Sequence, residues 1–162
     1  MKDAVLGAQI QNGLYNSMLT QSRHYGNGID AGGYSINSLW IMVRNAESGD
    51  LQLMESANKS LQFYRNKMVI DSELYAQYDS TGNPLSPTDT PWVYALVARA
   101  AIALNDREFS DLMIEKLLEH QNLDSQSWLY GSFPEGYAQD TRVGQFTMQE
   151  SILSLQDYIA RT

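Results

Sequence analysis

Thirteen residues from Trp92 to Leu104 carry a single charge, Arg99. A helix apolar nearly all round has to be enclosed by other elements, so this segment predicts an inner helix over 91–104. Ile36 to Val43 carries no charge at all and predicts a second, over 35–47. The segments that follow them behave differently. Met54, Ala57, Leu61, Tyr64 and Met68 step by three and four, one apolar stripe on an otherwise polar helix. Phe109, Leu112, Met113 and Leu117 repeat the pattern, with Asp111, Glu115, Lys116 and Glu119 on the wet side. These predict outer amphipathic helices over 50–68 and 106–121. A last inner helix is expected over 147–161, with Ile152, Leu155 and Ile159 turned inward, and the segment from Asp3 to Gln11 reads as the tail of an earlier outer helix.

The boundaries fit this alternation. Asp89-Thr90-Pro91 sets a capping residue ahead of a proline suited to the first helical turn. Asn105-Asp106 and Ser48-Gly49-Asp50 leave almost no loop, which forces antiparallel hairpins. The other connections are long and aromatic. A Leu-Tyr pair recurs in them, at Leu14-Tyr15, Leu74-Tyr75 and Leu129-Tyr130, a spacing of about 60 and about 55 residues that marks a repeat architecture. Ser80-Thr81-Gly82-Asn83-Pro84 is a turn signal that could close a small β-ribbon in the second long loop. The expected fold is all-α: antiparallel helical hairpins with every long loop on one face, the usual binding face of helical repeats.

Composition removes several functions. With 162 residues, 43% of them hydrophobic, the chain can bury roughly 70% of its unfolded surface, enough for one core. No run approaches the ~20 apolar residues of a membrane span. The absence of cysteine excludes disulfides, thiol nucleophiles and Cys-based metal sites. A net charge of −8 opposes nucleic acid, whose binding requires clustered Lys and Arg. No signal peptide is legible in this chain; an extracellular or cell-surface location is expected only for a longer secreted protein. His24 and His120 are far apart, and His120 fits a favourable helix C-terminus; no metal and no cofactor is expected. Gly26-Asn27-Gly28 and Gly32-Gly33 lack the Lys-Ser/Thr of a phosphate cradle.

What the long loops do hold is aromatics, amides and acids. Sugar rings stack on aromatic faces, and their hydroxyls pair with carboxylates and amides. Tyr15, Tyr34, Trp40, Tyr78, Trp92, Tyr130 and Glu135 are the candidate substrate-binding residues, with Tyr25, Tyr75, Trp128 and Tyr137 as further aromatic platforms. The competing role for each aromatic is a loop anchor packed over the core. Asp30, Asp79, Asp89, Glu135 and Asp140 are the candidate acids, and the competing role there is a helix cap or solvated loop charge.

Three motifs carry a family resemblance. Tyr34-Ser35-Ile36-Asn37-Ser38-Leu39-Trp40-Ile41-Met42 resembles the inner-helix signature of the six-hairpin toroid glycosidases, with glycoside hydrolase family 8 and its distant relative family 126 the nearest. Asp89-Thr90-Pro91-Trp92-Val93-Tyr94-Ala95-Leu96-Val97-Ala98 resembles their next inner helix. Phe133-Pro134-Glu135-Gly136-Tyr137 with Phe146-Thr147-Met148-Gln149-Glu150-Ser151-Ile152-Leu153 resembles the last loop and helix. The resemblance implies an (α/α)6 toroid, of which residues 1–162 form a single domain, about the C-terminal half. It also implies glucan cleavage, by inversion in family 8, with the proton donor in the other half and a base aspartate near the start of a later inner helix. Asn37 stands at that base position, where an amide cannot take a proton from water; Asp30, seven residues earlier, is the acid that could substitute.

The expectation is therefore a carbohydrate-active, glycosidase-like domain that supplies part of an oligosaccharide or polysaccharide cleft and is inactive as an isolated half. Asn37 and Asp30 are its candidate catalytic positions. Two alternatives remain open: a non-enzymatic helical-repeat module binding a protein partner, whose usual period of about 34 residues is too short for these units, and a homodimer joined through open half-toroid edges.

Overall fold

A computed structural model describes residues 2–16, 18–19, 25–26, 36–85, 90–135 and 143–161. Among these described residues six helices follow in order: α1 (Lys2–Gly7), α2 (Ile36–Ala46), α3 (Leu51–Asp71), α4 (Pro91–Ala103), α5 (Arg107–Glu119) and α6 (Gln145–Ile159). The only ladder among the described residues is a two-residue antiparallel ribbon in the first long loop, β1 (Met18–Leu19) against β2 (Tyr25–Gly26). In the second long loop, where a ribbon was expected, a single bridge joins Tyr78 to Pro84. No helix among the described residues is long and apolar enough to cross a membrane.

The two tight turns are built alike. The Asp50 side chain caps α3 by accepting from the backbone N–H groups of Gln52 and Leu53, after Gly49 has taken the left-handed φ of 71° that the reversal needs. Asp106 accepts from the Phe109 N–H to cap α5, after Asn105 at φ 60°. Pro91 starts α4 as expected. Each reversal returns an outer helix along its inner partner, so α2, α4 and α6 run parallel, with their N-termini at the long-loop end.

α4 sits between α2, α5 and α6, and its buried residues run from Pro91 through Val93–Ala98 to Ala100–Ile102. Leu39, Met42 and Val43 of α2, Ala57, Leu61 and Tyr64 of α3, and Phe109, Met113 and Leu117 of α5 complete the core. Arg99, the lone charge of α4, binds three carboxylates at once. Its guanidinium lies 2.8 Å from Glu47 Oε1, 2.8 Å from Glu150 Oε2 and 3.2 Å from Asp157 Oδ2, joining all three inner helices.

α6 departs from its expected orientation. Its buried residues are Thr147, Glu150, Ser151 and Ser154. Leu155 packs against the core, but Ile152 is 45% and Ile159 70% exposed. The buried Glu150 carboxylate must face Arg99, and that pairing fixes the helix rotation against the pull of the isoleucine stripe.

Candidate functional site

The loop end of the inner helices gathers three aromatic rings from three helices. Trp40 comes from the second turn of α2, Trp92 from the first turn of α4 and Phe146 from the first turn of α6. Phe146 is the hinge of the group, with ring centroids 6.3 Å from Trp40 and 6.0 Å from Trp92. The rings meet at 56° and 66° rather than face to face, the tilted geometry aromatic quadrupoles favour. All three are partly buried against the core, so each keeps some accessible surface.

Arginines support the Trp40 end. The Arg44 guanidinium lies 5.2 Å from the Trp40 ring centroid and Arg99 lies 6.0 Å from it. Glu47 pairs with both guanidiniums, holding them in place beside the indole.

Polar groups stand beside the rings. Asn37, one turn before Trp40, is exposed at the start of α2. Glu135 is held at the start of α6: its Oε1 accepts from Thr147 Oγ1 at 2.8 Å, and its carboxylate fills the space that any side chain at Gly144 would overlap. Gly144 is the N-cap of α6 and offers no side-chain cap; the Glu135 carboxylate lies there instead, where the helix dipole favours a negative group. Together the rings, an amide and an anchored carboxylate offer apolar area for the faces of a sugar and donors and acceptors for its hydroxyls.

The other predicted residues are placed elsewhere. Tyr15 and Tyr78 are each 1% exposed, and neither ring has a face open to a ligand. The Tyr15 hydroxyl shares a 2.7 Å hydrogen bond with Ser56 Oγ and accepts from Asn45 Nδ2 at 3.2 Å, pinning the first loop to α2 and α3; burial pushes its pKa up. Tyr78 packs edge-on against Phe63 and Tyr64, and its hydroxyl accepts from the Tyr75 N–H. Both are anchors because a buried phenol needs a partner for its hydroxyl and each has found one.

Asp79 closes its own turn. Its carboxylate accepts from Thr81 Oγ1 and from the N–H groups of Thr81 and Asn83, which lowers its pKa to about 2. Tyr130 is exposed in the lobe between α5 and α6. Asp30, Tyr34, Asp89, Tyr137 and Asp140 lie outside the described residues, as does the Tyr25 side chain. Phe146, Arg44 and Arg99 were not among the residues the sequence singled out for binding. The available signal was positional, since Trp92 and Phe146 occupy the same second position of successive inner helices.

A cavity of about 250 Å³ opens at the opposite, tight-turn end, lined by Asn105, Asp106, Arg107, Asp111, Tyr158 and Arg161. Its polar groups are largely engaged with one another or with the backbone: Tyr158 donates to Asp111 at 2.8 Å, and Arg161 donates to the Ile102 carbonyl. It has no part in the aromatic site.

No family model matches the sequence, and no curated protein sequence matches it. Among solved structures, one described as a novel alpha-amylase from Clostridium perfringens superposes with a TM-score of 0.80 at 22% identity, over 97% of this chain. The chain shares the fold of that structure over nearly its whole length. The chain spans 46% of the length of that structure, and its helical hairpins form half of an (α/α)n toroid.

Proposed function

We propose that this chain is part of a carbohydrate-active glycosidase of the six-hairpin type, resembling families 8 and 126, and that it contributes one side of a glucan-binding cleft. The observation that carries the reading is the convergence of Trp40, Trp92 and Phe146 beside Glu135 at the loop ends of three parallel helices. The structural neighbour's description as an alpha-amylase puts α-linked glucans first among candidates.

Within this reading the rings form the floor on which a sugar residue rests, and Asn37 hydrogen-bonds a hydroxyl rather than activating water. Hydrolysis requires two carboxyl groups about 5–9.5 Å apart across the scissile bond. Glu135 would supply one at most, and one of its oxygens is already committed to Thr147. The isolated chain should therefore bind without turning over.

Calorimetric titration with maltohexaose and cellohexaose tests this. Saturable binding is expected, weakened about tenfold by Trp92→Ala, the loss of roughly 1.4 kcal/mol that one stacking ring provides. Reducing-sugar release by this chain alone at ordinary glycosidase rates would contradict the assignment of roles.

A further inference from the structure

We infer that the lobe between α5 and α6 is a second carbohydrate-binding surface, separate from the aromatic floor and suited to the flank of a polysaccharide chain. Its ligand class rests on the carbohydrate reading above; its location does not.

The lobe spans residues 122–132 and is closed by its own hydrogen bonds. The Asn122 N–H donates to the Ser132 carbonyl at 2.9 Å and the Gly131 N–H donates to the Asn122 carbonyl at 2.7 Å. Gln121 Nε2 reaches the Gly131 carbonyl at 3.0 Å. Inside, Asn122 Oδ1 accepts from the Asp124 N–H, Asp124 Oδ1 from the Gln126 N–H, and Ser127 Oγ from the Leu129 N–H. Leu129 is buried and ties the lobe to the protein, while Trp128 is 82% and Tyr130 61% exposed on either side of it.

Folding therefore uses Leu129 and leaves both aromatics in water. An indole exposed to this degree on a backbone already fixed contributes little to stability, yet it offers a large stacking surface whose ordering cost is met before any ligand arrives. The surroundings select the ligand. From Gln121 to Ser132 the only charged side chain is Asp124. Ser125 and Gln126, just before the rings in sequence, are exposed, and Leu123 at 70% exposure is the one aliphatic side chain that shares the surface. Aromatic faces interleaved with hydroxyls and amides match the alternating C–H faces and hydroxyl edges of a neutral sugar polymer. A protein-docking face would instead present continuous apolar area, with aromatics at a dry centre.

The lobe follows the C-terminus of an outer helix, α5, whereas Trp92 and Phe146 open inner helices. The two sets of aromatics thus rise from different segments of the chain, a connecting lobe and helix first turns.

The test is electrophoresis of the intact chain in native gels cast with soluble starch or mixed-linkage β-glucan, beside calorimetry with maltohexaose. Retardation by a polymer is expected, weakened about tenfold in the Trp128→Ala/Tyr130→Ala protein and largely kept in Trp128→Phe, which retains an aromatic face. Thermal unfolding of each variant near the parent's temperature confirms that the lobe still folds. Equal retardation of parent and double variant would overturn the inference alone, as would hexaose binding without any retardation. Failure of the parent to bind either polymer or hexaose would overturn the carbohydrate reading and this inference together. A fall in solution mass from dimer to monomer in the double variant would assign the rings to a second copy of the chain and overturn the sugar assignment.

Discussion

α4 and α6 are both inner helices of the same arc, and they are held in place by different physics. α4 is apolar on nearly every side and is located mainly by enclosure, with Arg99 as its lone directional contact. α6 buries two serines, a threonine and a glutamate while leaving Ile152 and Ile159 to solvent. Its orientation is set by one charged contact, Glu150 to Arg99, with Asp157 a second hold on the same guanidinium. Hydrophobic burial is non-directional, so it locates a helix without fixing its azimuth. A buried ion pair is directional and costly to mismatch.

Three substitutions press on this difference. Arg99→Met should have the largest effect. It leaves Glu150, 1% exposed, as an uncompensated buried charge and should destabilise by about 3–5 kcal/mol, read from the shift in urea midpoint. A loss below about 1 kcal/mol would mean that apolar packing alone orients α6. Within the enclosed helix, Leu96→Ala opens a cavity at a fully buried site and should cost about 2–5 kcal/mol. Ile152→Ala on α6 should fall within about 0.5 kcal/mol of the parent; equal costs for the two would erase the distinction between the helices.

The smallest effect concerns the second long loop. The Asp79 carboxylate is depressed to about pKa 2 by hydrogen bonds from Thr81 and Asn83. A depressed folded pKa means its contribution is complete above the unfolded value, near pH 4, and is lost as pH falls toward 2. Asp79→Ala should flatten the stability profile in that window and leave it parallel to the parent above pH 5. An unchanged acid limb would show that this turn does not couple to folding.

The fold was legible because its signals were local and repeated. Charge-free segments marked α2 and α4, apolar stripes marked α3 and α5, and Asp50 and Asp106 marked the tight turns; each boundary falls within a few residues of its expected place. The face of α6 was not legible, since Ile152, Leu155 and Ile159 have the spacing of a buried stripe, and only the distant Arg99 decides otherwise. The site was half legible. Trp40 and Trp92 were candidates by residue type and position; each meets Phe146, which drew no attention among the loop tyrosines. Tyr15, Tyr78 and Tyr130 share a Leu-Tyr or Tyr-Asp context in sequence, but the first two found hydroxyl partners inside and the third did not. Tertiary partners of that kind leave no periodic trace.

The chain has three tryptophans, so its indole N–H groups give three NMR signals, assignable by single Trp→Phe replacements. Titration of these signals with maltohexaose tests the central claim most directly. Binding at the aromatic floor predicts saturable, concerted shifts of the Trp40 and Trp92 resonances with one dissociation constant. Saturation with both of those signals unmoved would place the sugar elsewhere and contradict the account.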